Sequence, residues 1–310
     1  MRYSLITFAP EEGHLAQIRA AMPALKCLRV QASRSFHEEH AAANGYDFDA
    51  STWAAEAIDR AASYGFEVLW SPLDTAVDFS KREHLSEYVR EVCRKVNAKD
   101  ALKGIVLDAE YENPRYCPGG WRGYAEVIAP TIAEFRRHRE RIAPATKIYA
   151  PGPTHSDDET IGDLMIELCA RGALPDIATF HLYFDKGWPE AAVRGYKLAM
   201  FYATFGLPSA ISEIGVTGEE SKGKTLGIFG NVTYDDGLKG EPDAIFEQRY
   251  ARMKANLDAG FFTALGLTDA MLYQFAEAGD QEEHGSNFGH FVETEDGYLF
   301  KEFLRKYWDE

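Results

Sequence analysis

The chain has 310 residues, 45% of them hydrophobic and 13% aromatic, so a packed core is expected and disorder is excluded as the dominant state. Lys and Arg number 33 against 49 Asp and Glu; the net charge of −16 argues against a protein that grips nucleic-acid phosphates. Four cysteines are too few for a disulfide scaffold, and no apolar run is long enough to span a bilayer, so neither a nucleic-acid nor a membrane partner is expected.

The first residues lack the basic-then-apolar pattern of a secretory signal, and they predict a strand over 3–8. Short apolar runs at 27–31, 67–71, 104–108, 147–150, 177–181, 209–212 and 271–275 predict seven more strands. Amphipathic stretches of helix length fall between them. The first, 51–63, carries Trp53, Ala54, Ala57, Ile58 and Ala61 at helical spacing and stops at Gly65. Others are predicted at 85–96, 124–142, 159–171, 189–205, 244–259 and 298–307. The helix at 124–142 ends on Arg136, Arg137, Arg139 and Arg141, which suit the negative helix end.

Regular strand–helix alternation without a linker predicts an α/β fold, a single (β/α)8 TIM barrel over 1–310. A doubly wound sheet with an appended domain is the competing architecture. One connection is unusually long, about 216–243, after the seventh strand. Loops of that size are uncommon and usually functional. It is read either as one wall of a substrate cleft, with a small hairpin near 227–234, or as a surface insertion.

Barrel active sites form at the C-terminal ends of the strands, so ionisable residues there are the candidates. The fourth strand ends in Asp108 and Glu110, with Glu112 just beyond. The sixth carries His181 and Tyr183, the seventh Glu213, the eighth Tyr273 and Gln274, and the second Arg29. Strands four and seven lie across an eight-strand ring, so Glu110 and Glu213 are expected to face one another. Two facing carboxylates are what glycosidic cleavage needs: one protonates the leaving oxygen and the other stays ionised. His181 and Tyr183 would orient Glu213. Arg29 would keep Glu213 charged, or would clamp Asp59 or Asp74 instead. Trp70, Trp188, Phe184 and Tyr273 are either core rings or platforms for a sugar face. Trp53 and Trp308 are read as packing.

On these residues the chain resembles the clan A glycoside hydrolases, most of all families 39 and 5, over nearly its whole length. Arg29 on its strand, then Gly45-Tyr46-Asp47-Phe48 and Ile58-Asp59-Arg60-Ala61, is similar to the family's second strand and helix. Lys103-Gly104 through Glu110 to Asn113-Pro114 is similar to the acid/base strand, which carries that role onto Glu110. Ile211-Ser212-Glu213-Ile214-Gly215 is similar to the nucleophile strand, which carries that role onto Glu213. Lys147 to Gly152, Phe180-His181-Leu182-Tyr183, and Phe288-Gly289 through Asp296-Gly297 to Lys301 extend the likeness.

The resemblance implies a retaining β-glycosidase with a carbohydrate substrate and no cofactor. Two positions depart from it. The family's Asn before the acid/base is Ala109, and its strand-eight Trp is replaced near Tyr273 or Gln274. Glu112, beside Asn113, is therefore a rival acid/base. A carbohydrate-binding barrel with impaired turnover and a metal-dependent barrel enzyme stay open as alternatives. His37 and His40 form a weak metal-type pair. No nucleotide loop, zinc-protease helix or serine elbow is present. Cys27, Cys93, Cys117 and Cys169 have no paired-ligand spacing. Free thiols fit a cytoplasmic protein, or a secreted one whose signal has been removed.

Overall fold

The structure is a computed structural model. It describes residues 1–8, 10–34, 49–73, 82–114, 117–142, 145–154, 158–183, 188–216, 218, 220, 237–273, 289–294 and 297–309. Strands β1 (Arg2–Phe8), β2 (Cys27–Gln31), β3 (Glu67–Ser71), β4 (Leu102–Val106), β5 (Lys147–Pro151), β6 (Ile177–Tyr183), β7 (Ser209–Gly215) and β8 (Leu267–Leu272) follow one another in order around a closed parallel barrel. The helices between them are α1 (Glu12–Ala21), α2 (Ala50–Ser63), α3 (Arg82–Lys95), α4 (Gly120–Ile142), α5 (Asp158–Ala170), α6 (Trp188–Ala203), α7 (Pro242–Asp258) and the short α8 (Phe261–Ala264). The fold is the expected (β/α)8 barrel. Its strands are buried almost end to end, which explains why they are continuous apolar runs rather than alternating ones. Among the described residues no helix is long and apolar enough to cross a membrane.

Internal contacts group the chain into two compact units: Met1–Ile6 with Ala16–Leu25 and His181–Glu310, and Thr7–Leu15 with Lys26–Phe180. The second unit holds β2 to β5. Asp49 caps α2, accepting from Ser51 N and Thr52 N at 3.1 Å, and Lys95 reaches the same carboxylate at 2.6 Å. Those bonds hold the Asp49 carboxyl well below its usual range. The apolar stripe Ala54, Ala57, Ile58 and Ala61 is buried as the helical spacing requires. Gly104 is fixed by packing: a Cβ there would lie 2.5 Å from Tyr149 Cε2 and 2.9 Å from Leu69 Cδ2. Without a side chain at 104, the buried Tyr149 ring can cross β4.

The first unit holds β7, β8 and the C-terminal segment. β1 pairs with β8 from Arg2↔Asp269 to Leu5↔Leu272, and Arg2 Nε bonds Asp269 Oδ1 at 2.5 Å. α7 buries Ile245, Phe246, Tyr250, Met253 and Leu257 on one side. The Tyr250 hydroxyl accepts from Trp308 Nε1 at 3.1 Å and lies 3.2 Å from His290 Nε2, so one buried phenol ties α7 to the C-terminal segment.

Three sequence expectations are corrected. β8 begins four residues earlier than read, because Thr268 and the buried Asp269 interrupt the apolar run that marked it. β4 ends at Val106 rather than at 108. The helix expected at 298–307 is instead strand β10 (Gly297–Phe300), paired antiparallel with β9 (Phe291–Thr294), followed by a 3-10 helix at Glu302–Tyr307. Leu299 is exposed while Phe300 is buried, the alternation of a two-faced strand. The hairpin expected near 227–234 lies outside the described residues.

Candidate active site

In the unit that carries β2 to β5, the ends of three strands, β2, β3 and β4, are tied together around one buried cation. Arg29 on β2 donates from Nη1 to Asp108 Oδ2 at 3.0 Å and from Nη2 to Asp108 Oδ1 at 2.7 Å. Their side chains are 2% and 1% exposed, so the planar fork meets the carboxylate out of water. Arg29 Nη2 also reaches Ser71 Oγ on β3 at 3.2 Å, and Ser71 Oγ donates to Val106 O on β4 at 3.2 Å. This settles the partner of Arg29 differently from the clamp expected on Asp59 or Asp74. Asp59 instead accepts from the main-chain N–H of Asn97 and, at 2.7 Å, from that of Ala98, whereas Asp74 lies outside the described residues. Arg29 is thus a strut between strands as well as a charge, and Asp108 is its counter-ion.

Past Val106 the chain keeps bonding to β5. Leu107 N donates to Tyr149 O at 2.7 Å and Ala109 N to Pro151 O at 2.8 Å. The Tyr124 hydroxyl, from α4, donates to Leu107 O. The buried Tyr111 ring packs on Tyr124, with centroids 5.6 Å apart. The segment leading into Glu110 and Glu112 is therefore stapled on both sides, and both carboxylates are half-buried. Each is bonded by Thr154, three residues past β5. The Thr154 hydroxyl donates to Glu110 Oε1 at 2.5 Å, and the Thr154 main-chain N–H donates to Glu112 Oε1. Nearby, burial and the Glu112 charge push the Cys117 thiol up to about 12, so it stays protonated. Nothing in the sequence reading had singled out Thr154; a hydroxyl in a strand-to-helix turn is too common to signal.

The other unit carries Glu213 on β7, half-buried, with Tyr183 and His181 from the end of β6. The Tyr183 hydroxyl donates to Glu213 Oε2 at 2.5 Å, and His181 Nδ1 lies 3.4 Å from the same oxygen. Tyr183 is in turn braced edge-on by Tyr273, with centroids 6.3 Å apart, and by His181 at 6.5 Å. Tyr273 N donates to Ile214 O at 2.9 Å, which fixes the Tyr273 main chain against β7. Successive side chains alternate along a strand, so His181 and Tyr183 share one face of β6, and the neighbouring β7 brings Glu213 within reach of both. The arrangement presents one carboxylate whose Oε2 is held by a phenol, a geometry suited to a nucleophile or to a charge stabiliser.

Of the remaining candidates, Trp70 is fully buried; its indole N–H donates to Ala32 O at 3.3 Å and its ring packs on Tyr88. It is a core ring. Trp188 opens α6, and its side chain lies outside the described set, as do Gln274, Phe184, His37 and His40. Of the long 216–243 connection, residues 216, 218, 220 and 237–243 are described. Gly218 packs so closely that a Cβ would meet Pro242 O at 2.6 Å. Cys27, Cys93 and Cys117 are buried and Cys169 exposed, all as free thiols. Within each unit the ligand-type groups already have protein partners: Asp108 gives both oxygens to Arg29, and Glu213 Oε2 accepts from Tyr183.

No family model matches the chain, and no curated protein matches it in sequence. Solved structures do match. A beta-glucosidase from Exiguobacterium marinum aligns at a TM-score of 0.64 and 9% identity, covering 96% of this chain and 84% of that one. An endo-1,4-beta-xylanase from Caldicellulosiruptor owensensis aligns at 0.60 and 15% identity, covering 98% and 95%. A beta-mannanase from Streptomyces thermolilacinus aligns at 0.55 and 13% identity, covering 96% and 86%. The barrel is thus one that glycoside hydrolases of several specificities share, at identities where the likeness is one of fold.

Proposed function

We propose that the protein is a retaining glycoside hydrolase that cleaves β-linked glycosides, with Glu213 as nucleophile and Glu110 as acid/base. The observation that carries this reading is the Tyr183–Glu213–His181 cluster, in which a carboxylate at a strand tip is oriented by a phenol bonded to one of its oxygens. The barrel shared with glycosidases raises the prior, as an analogy of fold.

In the first half-reaction Glu213 attacks the anomeric carbon, the bond to the leaving oxygen breaks, and that oxygen takes the proton held by Glu110. In the second, Glu110 takes a proton from water, the water oxygen joins the anomeric carbon, and the ester to Glu213 breaks. Such a mechanism needs the two carboxyls about 5–5.5 Å apart across the mouth. Asp108 is assigned a charge-balancing role with Arg29, which also suits a neutral substrate better than a divalent metal. The single chain is read as one catalytic domain, acting in the cytoplasm or after secretion.

A fluorosugar that traps the glycosyl-enzyme tests this directly. Mass spectrometry is expected to find the label on the peptide that holds Glu213; a label elsewhere overturns the role assignment. Sugar binding without turnover of an activated aryl glycoside would favour the impaired-barrel alternative that Ala109 motivates. Loss of turnover on adding a chelator would favour the metal-dependent one.

A further inference from the structure

We propose that Thr154 is the positioning residue that makes Glu110, rather than Glu112, the proton donor, and that Glu112 acts as the anchor of Thr154. This rests on the glycosidase reading and goes beyond it by dividing the labour between two neighbouring carboxylates. Thr154 is 8% exposed and meets both of them with different atoms. Its hydroxyl goes to Glu110 Oε1 at 2.5 Å, and its main-chain N–H goes to Glu112 Oε1. The turn that carries it is fixed at its start: Ala109 N bonds Pro151 O at 2.8 Å and Gly152 N bonds Thr179 O at 3.2 Å.

The two contacts have different consequences. A main-chain N–H cannot rotate away, so Glu112 and the Thr154 backbone hold each other in one place. The hydroxyl donates to one oxygen of Glu110. In the acid form the proton then sits on Oε2, the other oxygen, and is aimed by the same bond. When the glycosidic bond breaks, that proton passes from Oε2 to the departing oxygen, and the carboxylate left behind keeps the Thr154 hydrogen bond. A hydrogen bond to the charged form is stronger than one to the neutral form, so the contact tightens as the proton leaves.

The test uses the dependence of rate on the leaving group. Proton donation matters most for a poor leaving group and least for an activated one. Rates are measured for the whole chain on a series of aryl β-glycosides running from dinitrophenyl to unsubstituted phenyl. Thr154→Val removes the hydroxyl and keeps both the shape and the N–H to Glu112. It is expected to lower kcat/KM by about 10- to 100-fold at the phenyl end, a part of the full acid contribution, with the loss shrinking toward dinitrophenyl. Thr154→Ser restores the hydroxyl and is expected to recover most of the phenyl rate, which a merely structural turn residue does not predict.

An equal loss across the series, or no loss anywhere, overturns the positioning role while leaving the glycosidase intact. The thermal midpoint of each variant identifies a fold defect, and in that case the Thr154→Ser series alone decides: a leaving-group dependence unlike the wild type's overturns the proposal. A wild-type protein that cleaves none of the series overturns the glycosidase reading itself, and this inference with it.

Discussion

The β4 end and the β7 end both present a carboxylate, but they hold it in different ways. Glu213 sits on a strand, and its partners Tyr183 and His181 sit on the neighbouring strand, so every piece belongs to the barrel wall. Glu110 sits past the end of its strand, and its partner Thr154 sits in a turn. Its geometry therefore depends on side bonds: Tyr124 to Leu107 O, Ala109 N to Pro151 O, and Thr154 N to Glu112. The difference suits the two proposed roles. A nucleophile forms a bond to one carbon and benefits from a rigid strand-borne mount. A group that must be acid in one step and base in the next benefits from a polar setting in which both states find a donor.

The sharpest way to break this contrast is at Glu213, the proposed nucleophile. Glu213→Ala is expected to lower kcat by about 10⁴-fold or more, with azide restoring release of an activated aglycone, as measured by steady-state kinetics. At the other end, Glu110→Gln is expected to cost about 10²–10⁴-fold on an unactivated glycoside, and Glu112→Gln about tenfold, because an amide oxygen can still accept from Thr154 N–H. A reversal of that order would make Glu112 the acid/base.

Arg29→Met tests the support beneath the β4 end. It leaves Asp108 buried beside no guanidinium, and about 3–5 kcal/mol of stability should be lost in urea unfolding. Adding Asp108→Leu to Arg29→Met is expected to recover part of that loss. Tyr183→Phe removes one donor to Glu213. It should lower kcat by about 10- to 100-fold, with KM moving little, since the bond matters most as the charge on Glu213 changes.

Much of the barrel was legible along the chain because buried parallel strands are continuous apolar runs, and 27–31 and 67–71 were found to the residue. Where polar residues are buried the signal failed: Asp269, paired with Arg2, hid the start of β8. At the C-terminus, Tyr298 to Phe300 has an apolar content that a helix or a strand would share. Pairing with Phe291–Thr294 chose the strand. Glu213, Tyr183 and His181 were each visible as polar residues interrupting apolar strand ends. That His181 and Tyr183 would orient Glu213 was expected from adjacent strands; that both meet it at the same oxygen was not visible, because it depends on the stagger of β6 against β7.

The sequence by itself determined the alternation of strands and helices, the positions where charge sits at strand ends, and the acidic balance of the whole. Those follow from local composition and period. Only the tertiary structure decided that Arg29 meets Asp108 and that Thr154 stands between Glu110 and Glu112. The reason is geometric: which side chains touch is set by strand stagger and by the path of a turn, and neither leaves a trace in the order of residues.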